Sequence, residues 1–180
     1  MKENKLKKLI RNCYPTYTFD KVESIPLELL KELNIKLVLL DMDNTLIDNK
    51  GKYSKELKRW IKNVKAKGIK CYIMSNSISE KMVKKISKEL GMQYYYKARK
   101  PRQKGYYYML EKTQVEKENI LMIGDQLFTD IYGGNRFGIK TILVKPINKK
   151  EIIVSKIKRP FERVILNHYY KKKGVLKNAR

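Results

Sequence analysis

The chain has 180 residues, of which 42 are Lys or Arg and 18 Asp or Glu, for a formal net charge of +24. That length predicts one domain with a proper core; 42% hydrophobic and 10% aromatic residues exclude disorder of the whole chain, and two cysteines exclude a disulfide framework or a Cys-based zinc site. No apolar run approaches the ~20 residues of a membrane span, and Met1–Lys8 lacks the apolar core of a signal peptide, so the expectation is a cytoplasmic protein.

Residues 1–34 read as an N-terminal packing segment, with Leu27, Leu29, Leu30 and Leu33 expected to cover one side of a sheet. A core at 35–146 follows. Ile35–Leu40 is a continuous apolar run of strand length, the pattern of a parallel strand buried on both faces. Leu57, Ile61 and Val64 then recur at helical spacing beside Trp60, with Ser54 placed as N-cap and Gly68 as the stop. Ile69–Met74 is a second strand. Ser77 and Glu80 have the spacing of a capping box for a helix carrying Met82, Val83, Ile86 and Leu90, which stops at Gly91. Gln93–Tyr96 predicts a short strand, Lys104–Lys112 a helix, Ile120–Ile123 a strand, the stretch from about Thr129 a short helix, and Lys140–Val144 a last strand. Strands separated by single helices predict an α/β fold built on a doubly wound parallel sheet, with its site at the carboxyl ends of the strands.

Residues 147–180 read as a basic tail. From 146 onward 11 basic residues face two acidic ones. Ile153, Ile157, Phe161, Val164 or Ile165, and Tyr169 form one helical stripe, interrupted by Pro160. Over the whole chain the positive charge is mostly Lys, 34 residues against eight Arg, and outside the tail it is expected on solvated helix faces. The single histidine, His168, reads as a surface or packing residue, and Cys13 and Cys71 as packing thiols.

The chemistry lies in the scarce acids. Asp41 and Asp43 leave the first core strand in the run Asp41-Met42-Asp43-Asn44-Thr45. Two carboxylates so close repel unless a cation lies between them or one holds a proton. A hard cation such as Mg²⁺ beside one leaves the other free for proton transfer; two turn-ending carboxylates are the plain alternative. Ser75 after the second strand offers a hydroxyl, Lys100 before Pro101 an ammonium, and Asp125 and Asp130 in Gly124-Asp125-Gln126-Leu127-Phe128-Thr129-Asp130 a second acidic pair at the same sheet edge.

This ordered set resembles the four motifs of the haloacid dehalogenase (HAD) superfamily of phosphohydrolases, across about residues 35–145. The resemblance implies a Rossmannoid fold and the following roles. Asp41 is the nucleophile that forms an aspartyl-phosphate, and Asp43 is the acid and then the base. Ser75, Asn76 and Lys100 bind the phosphoryl oxygens. Mg²⁺ is held by Asp41, Asp43 through its main-chain carbonyl, and Asp125, while Thr45 and Asp130 support the site. Only 33 residues lie between Asp41 and Ser75, enough for one helix and one strand. The expected enzyme is therefore capless, with an open site suited to a phosphate displayed on something large.

Within the superfamily, the block at 124–130, its continuation Gly133-Gly134-Asn135-Arg136-Phe137-Gly138, the segment Lys97–Pro101, and Tyr14-Pro15 ahead of Ile25-Pro26 are similar to subfamily IIIA, the YqeG-like and phosphatidylglycerophosphate phosphatases. That implies hydrolysis of phosphatidylglycerophosphate to phosphatidylglycerol. The partner would be an anionic phospholipid headgroup, with peripheral contact of the basic tail on the inner face of the membrane. Packing of the tail on the core is the other reading of the same stripe. Competing functions are a phosphatase of nucleic-acid ends or soluble metabolites, and a non-enzymatic basic nucleic-acid-binding module; four clustered carboxylates and the lack of a nucleic-acid motif weigh against nucleic acid.

Overall fold

The computed structural model describes residues 5–148 and 164–171. Six parallel strands form one sheet: β1 (Tyr17–Phe19), β2 (Leu37–Leu40), β3 (Lys70–Met74), β4 (Gln93–Tyr95), β5 (Ile120–Gly124) and β6 (Lys140–Val144). Their order is β1-β6-β5-β2-β3-β4. Helices α1 (Lys5–Asn12), α2 (Leu27–Glu32), α3 (Lys55–Ala66), α4 (Glu80–Leu90), α5 (Lys104–Thr113) and α6 (Tyr132–Phe137) flank it, and residues 164–171 are helical.

The expected doubly wound α/β architecture is the observed one. Every residue of β2 is buried, and its alternating side chains divide between two cores. Val38 and Leu40 join Cys71, Ile73, Leu121 and Ile123 under Trp60, Ile61, Val83 and Ile86 of α3 and α4. Leu37 and Leu39 join Met74, Met122, Tyr106, Met109 and Phe137 on the other face. A strand covered on both faces has no polar side, which is why the run is continuous rather than alternating. Leu30 is fully buried in the first core, with Leu27, Leu29 and Leu33 packed against it.

Two local readings are revised. Ser54 caps α3, accepting from the Leu57 amide at 3.0 Å, but α4 is capped by Ser79, which accepts from the Met82 amide, and Ser77 instead accepts from the Ser79 amide. The chain after β3 needs two more residues to clear the sheet edge before it can turn helical. Residues Tyr17–Phe19, given no strand from sequence, form β1 and pair with Ile142–Val144 of β6.

The chain winds outward from β2 through β3 to β4, then returns to the other side of β2 as β5. The carboxyl ends of β2 and β5 therefore lie side by side where the strand order reverses, and loops from β3 and β4 reach the same edge. Such a reversal opens a crevice in which sheets of this kind bind ligands.

Candidate active site

Leu40 pairs with Ile123, and the Asp41 amide donates to the Ile123 carbonyl at 2.9 Å, so Asp41 emerges beside Gly124 and Asp125. The chain then reverses. Asn44, at φ 63°, donates its amide to the Ile47 carbonyl, and the amides of Leu46 and Ile47 close on the Met42 carbonyl. Asn is among the residues that adopt this left-handed backbone most readily. The tight loop buries Asp41 and leaves Asp43 exposed at its lip.

Lys100 arrives from the far side. The loop after β4 is wound through Lys97 and Arg99, both with positive φ, and held by the Ala98 amide on the Ser75 carbonyl. Asn76 clamps Lys100 at both main-chain groups: its Nδ2 donates to the Lys100 carbonyl at 3.0 Å, and its Oδ1 accepts from the Lys100 amide at 2.7 Å. The carboxamide expected from sequence to bind phosphate instead holds the lysine's backbone. The Lys100 ammonium lies 2.6 Å from Asp41 Oδ1 and 2.7 Å from Asp130 Oδ1, with its side chain only 1% exposed.

Asp130 sits within a π-helical turn, Leu127–Ile131, that leads into α6. Such a turn is wider than an α-helical one and is often found at functional sites. Asp130 Oδ2 accepts from the Gln126 amide at 3.1 Å, closing the loop after β5 upon itself. Asp125 is oriented by Thr45, whose hydroxyl donates to Asp125 Oδ1 at 3.0 Å, so the first and fourth motif segments are directly joined. Ser75 is fully buried; its Oγ accepts from the Ser77 amide at 3.0 Å, which leaves the hydroxyl proton free to donate.

Asp41, Asp43, Asp125 and Asp130 face a single ammonium. Burial would lower Lys100, but Asp130 and then Asp41 outweigh it and hold the ammonium well above its ordinary range. Burial, reinforced by Asp41 and Asp130, pushes Asp125 up to about 8. Burial also takes Asp130 up to about 6 against the pull of Lys100. Desolvation and then the charge of Asp41 raise Asp43.

These shifts record a site with more negative charge than its own groups balance. One carboxylate oxygen from each of Asp41, Asp125 and Asp130 lies within 4.8 Å of the other two, close enough for one small oxygen-seeking cation. Asp41 Oδ2 is buried without a hydrogen-bond partner, whereas Asp130 is engaged by Lys100 and Gln126. All three could present an oxygen to such a cation, and Asp41 Oδ2 has no other polar partner among the described residues.

All eight residues singled out from sequence lie along this one edge of the sheet. Tyr106 was not among them. It is fully buried on α5 in the neighbourhood of Lys100, burial holds its phenol protonated, and its hydroxyl has no hydrogen-bond partner among the described residues. Helical spacing marks it only as a core aromatic; no sequence signal points to its place behind Lys100.

Only α3 lies between β2 and β3, and only α4 between β3 and β4, so among the described residues neither connection carries a cap. Among the described residues no helix is long and apolar enough to cross a membrane.

The described part of the tail, residues 164–171, packs against the core. Tyr169 is buried with its ring tilted against Tyr14, while His168 stacks on Tyr14 and shares a hydrogen bond with its hydroxyl through Nδ1. Ile165 and Leu166 pack with Leu127 and Ile131 of the π-helical turn. Ile153, Ile157 and Phe161 lie outside the described residues, and with them most of the predicted stripe.

Known proteins share this arrangement. Residues 3–148 match the family described as mitochondrial PGP phosphatase. "Probable phosphatase YqeG" of Bacillus subtilis (strain 168) is 40% identical over 148 residues, 82% of this chain and 85% of that protein. An uncharacterized protein from Listeria monocytogenes serotype 4b superposes with a TM-score of 0.53 at 20% identity, over 74% of this chain and 99% of that one. A HAD phosphatase from Thermococcus onnurineus gives 0.52 at 15% identity, over 71% and 98%. The two structures share the fold, and the sequence matches carry the family: this chain belongs to the HAD superfamily, within the mitochondrial PGP phosphatase family, and is a YqeG-like phosphatase.

Proposed function

We propose that the protein is a Mg²⁺-dependent phosphatidylglycerophosphate phosphatase acting through an aspartyl-phosphate at Asp41. The observation that carries the mechanism is the inequivalence of the two Asp41 oxygens. Oδ1 is paired with Lys100, while Oδ2 is buried without a hydrogen-bond partner among the described residues.

A carboxylate oxygen of Asp41 attacks phosphorus, and the bond from phosphorus to the ester oxygen breaks. Asp43, raised toward its protonated form and standing at the open lip, gives its proton to the departing alkoxide. It then takes a proton from the water that displaces Asp41 from phosphorus. The Ser75 hydroxyl and the Lys100 ammonium supply donors to the phosphoryl oxygens, with Asn76 holding Lys100 in place. Asp41 and Asp125, with the Asp43 main-chain carbonyl, would hold Mg²⁺, and Thr45 and Asp130 keep the surrounding groups oriented. The cation would offset the acidic charge that otherwise repels a phosphate dianion.

Two features support the lipid substrate: the family match over 3–148 and, among the described residues, strand connections that carry no cap to enclose a small molecule. We assign residues 1–34, 35–146 and 147–180 as packing segment, catalytic core and basic extension, with the extension's lysines facing an anionic membrane at its inner surface. The test compares Mg²⁺-dependent phosphate release from phosphatidylglycerophosphate in vesicles, a 3′-phosphorylated oligonucleotide and small phosphate monoesters. Preference for the vesicle substrate is expected; preference for either alternative overturns the lipid assignment.

A further inference from the structure

The mouth of the site has a composition that catalysis does not require. Ser77-Ile78-Ser79 follows the phosphate-facing Ser75, and this short loop is pinned on both sides. The Ser77 amide donates to Ser75 Oγ, the Ser79 amide to Ser77 Oγ, and the Lys97 amide to the Ser77 carbonyl. From this fixed base the Ile78 side chain projects into solvent, 82% exposed, the most exposed large apolar residue among those described. Met82, one turn into α4, is 38% exposed and lies against Gly51 of the loop that follows Asp41. Ile147, 45% exposed, sits beyond β6 and donates its amide to the Asn44 carbonyl, on the other side of the same mouth.

Exposed cations surround these apolar tips: Lys50, Lys81, Arg99 and Arg102 all belong to loops or first turns at the carboxyl edge of the sheet. The acids on this rim are partly offset: half-buried Asp48 lies beside Lys50 and Lys52, Asp20 pairs with Lys145, and Glu80 precedes Lys81, while exposed Asp43 stands at the lip of the crevice. Scattered single hydrophobes are ordinary on a protein surface. Here three converge on one edge, two from opposite sides of a catalytic crevice, on backbone held by hydrogen bonds and within a cationic field.

We propose that this edge is a membrane-docking face, in which Ile78, assisted by Met82 and Ile147, enters the headgroup layer of an anionic bilayer while the surrounding Lys and Arg contact lipid phosphates. An apolar tip gains by leaving water, and cations near an anionic surface add attraction that salt screens. The crevice then opens directly onto the plane in which a lipid phosphomonoester is displayed, and a substrate need not leave the bilayer to reach Asp41. The proposal deepens the lipid-phosphatase reading and rests on it for its purpose, but it concerns binding to the surface and is tested without substrate.

The experiment is sedimentation of the full chain with vesicles of phosphatidylcholine alone and of phosphatidylcholine mixed with phosphatidylglycerol. It compares wild type, Ile78→Asp, Ile147→Asp and Ile78→Trp, each checked for an unaltered thermal midpoint. The proposal expects binding to the mixed vesicles only. Ile78→Asp should weaken it about tenfold or more and Ile147→Asp by less, while Ile78→Trp should retain or strengthen it, because indole favours the interface. Undiminished binding by Ile78→Asp, or loss in Ile78→Trp equal to that in Ile78→Asp, overturns it. So does a wild-type dimer in sedimentation velocity that Ile78→Asp abolishes, which would make the face a protein interface. If the enzyme proves to hydrolyse something other than phosphatidylglycerophosphate, these vesicles still decide the docking face, since neither contains that substrate.

Discussion

Gly124 and Asp130 occupy the same space: a Cβ on Gly124 would lie 2.2 Å from Asp130 Oδ2, far inside contact distance. The glycine of the fourth motif is thus dictated by packing rather than backbone freedom, since Asp130 folds back over the end of β5 to meet Lys100.

Gly124→Ala must therefore displace Asp130 or the strand end. Overpacking of this kind costs ~1–3 kcal/mol, and the lost Lys100 partner should lower turnover more than tenfold. Calorimetry and steady-state kinetics on the purified variant check this; activity within twofold of wild type would show that the carboxylate can move aside harmlessly.

Asp41→Asn should abolish turnover while leaving the fold intact, and mass spectrometry should find no phosphoryl adduct on the quenched variant. Asp43→Asn should leave attack possible on substrates whose leaving group needs no proton. Near-normal turnover by Asp41→Asn on any phosphomonoester would remove it as nucleophile.

Lys100→Met leaves Asp41 and Asp130 buried around an uncharged side chain. Removing one partner of a buried ion pair typically costs ~3–5 kcal/mol, so the variant's urea midpoint should fall clearly. The double change Lys100→Met with Asp130→Asn should recover part of that loss. A single variant as stable as wild type would mean that water or ions already screen the three groups.

Asp125 sets a pH dependence whose sign is fixed by its surroundings. In the fold it keeps its proton up to about 8, whereas in an unfolded chain an aspartate loses it near ~4. Between those values the folded state holds more protons, so this group's contribution destabilises the metal-free fold progressively as pH rises. Asp125→Asn removes the effect and should melt higher than wild type at pH 8 in EDTA, with the difference vanishing near pH 4. Mg²⁺ should raise the wild-type melting temperature more at pH 8 than at pH 5.5, because protons compete for the same oxygens. A wild type whose response to Mg²⁺ is the same at both pH values contradicts this.

Much of this site was readable from residues alone. Burial on both faces makes β2 and β5 continuous apolar runs, and carboxylates directly after such runs can lie nowhere but the sheet's carboxyl edge. What escaped depends on contacts across the fold. The strand Tyr17–Phe19 has only half-buried residues and exists because β6 offers it a free edge. Asn76 reveals its grip on Lys100 only when two loops meet. The π-helical turn arises because Asp130 must reach both Gln126 and Lys100, a demand that no local periodicity records. The Tyr14–His168 contact joins positions 154 apart, and neither side chain signals the other in sequence.

The position of β1 also has a consequence for how the chain is made. Its partner is β6 alone, and Thr16 and Thr141, which bond to each other beside that pairing, are separated by 125 residues. During synthesis the first strand must therefore wait, unpaired, while β2 to β5 emerge and can already assemble the edge that carries Asp41, Ser75, Lys100 and Asp125. Its pairing with β6 closes the longest loop in the topology, and that loop falls on a strand that contributes nothing to the chemistry. The ribosome can thus release a chain whose catalytic edge has formed before its outer edge is sealed.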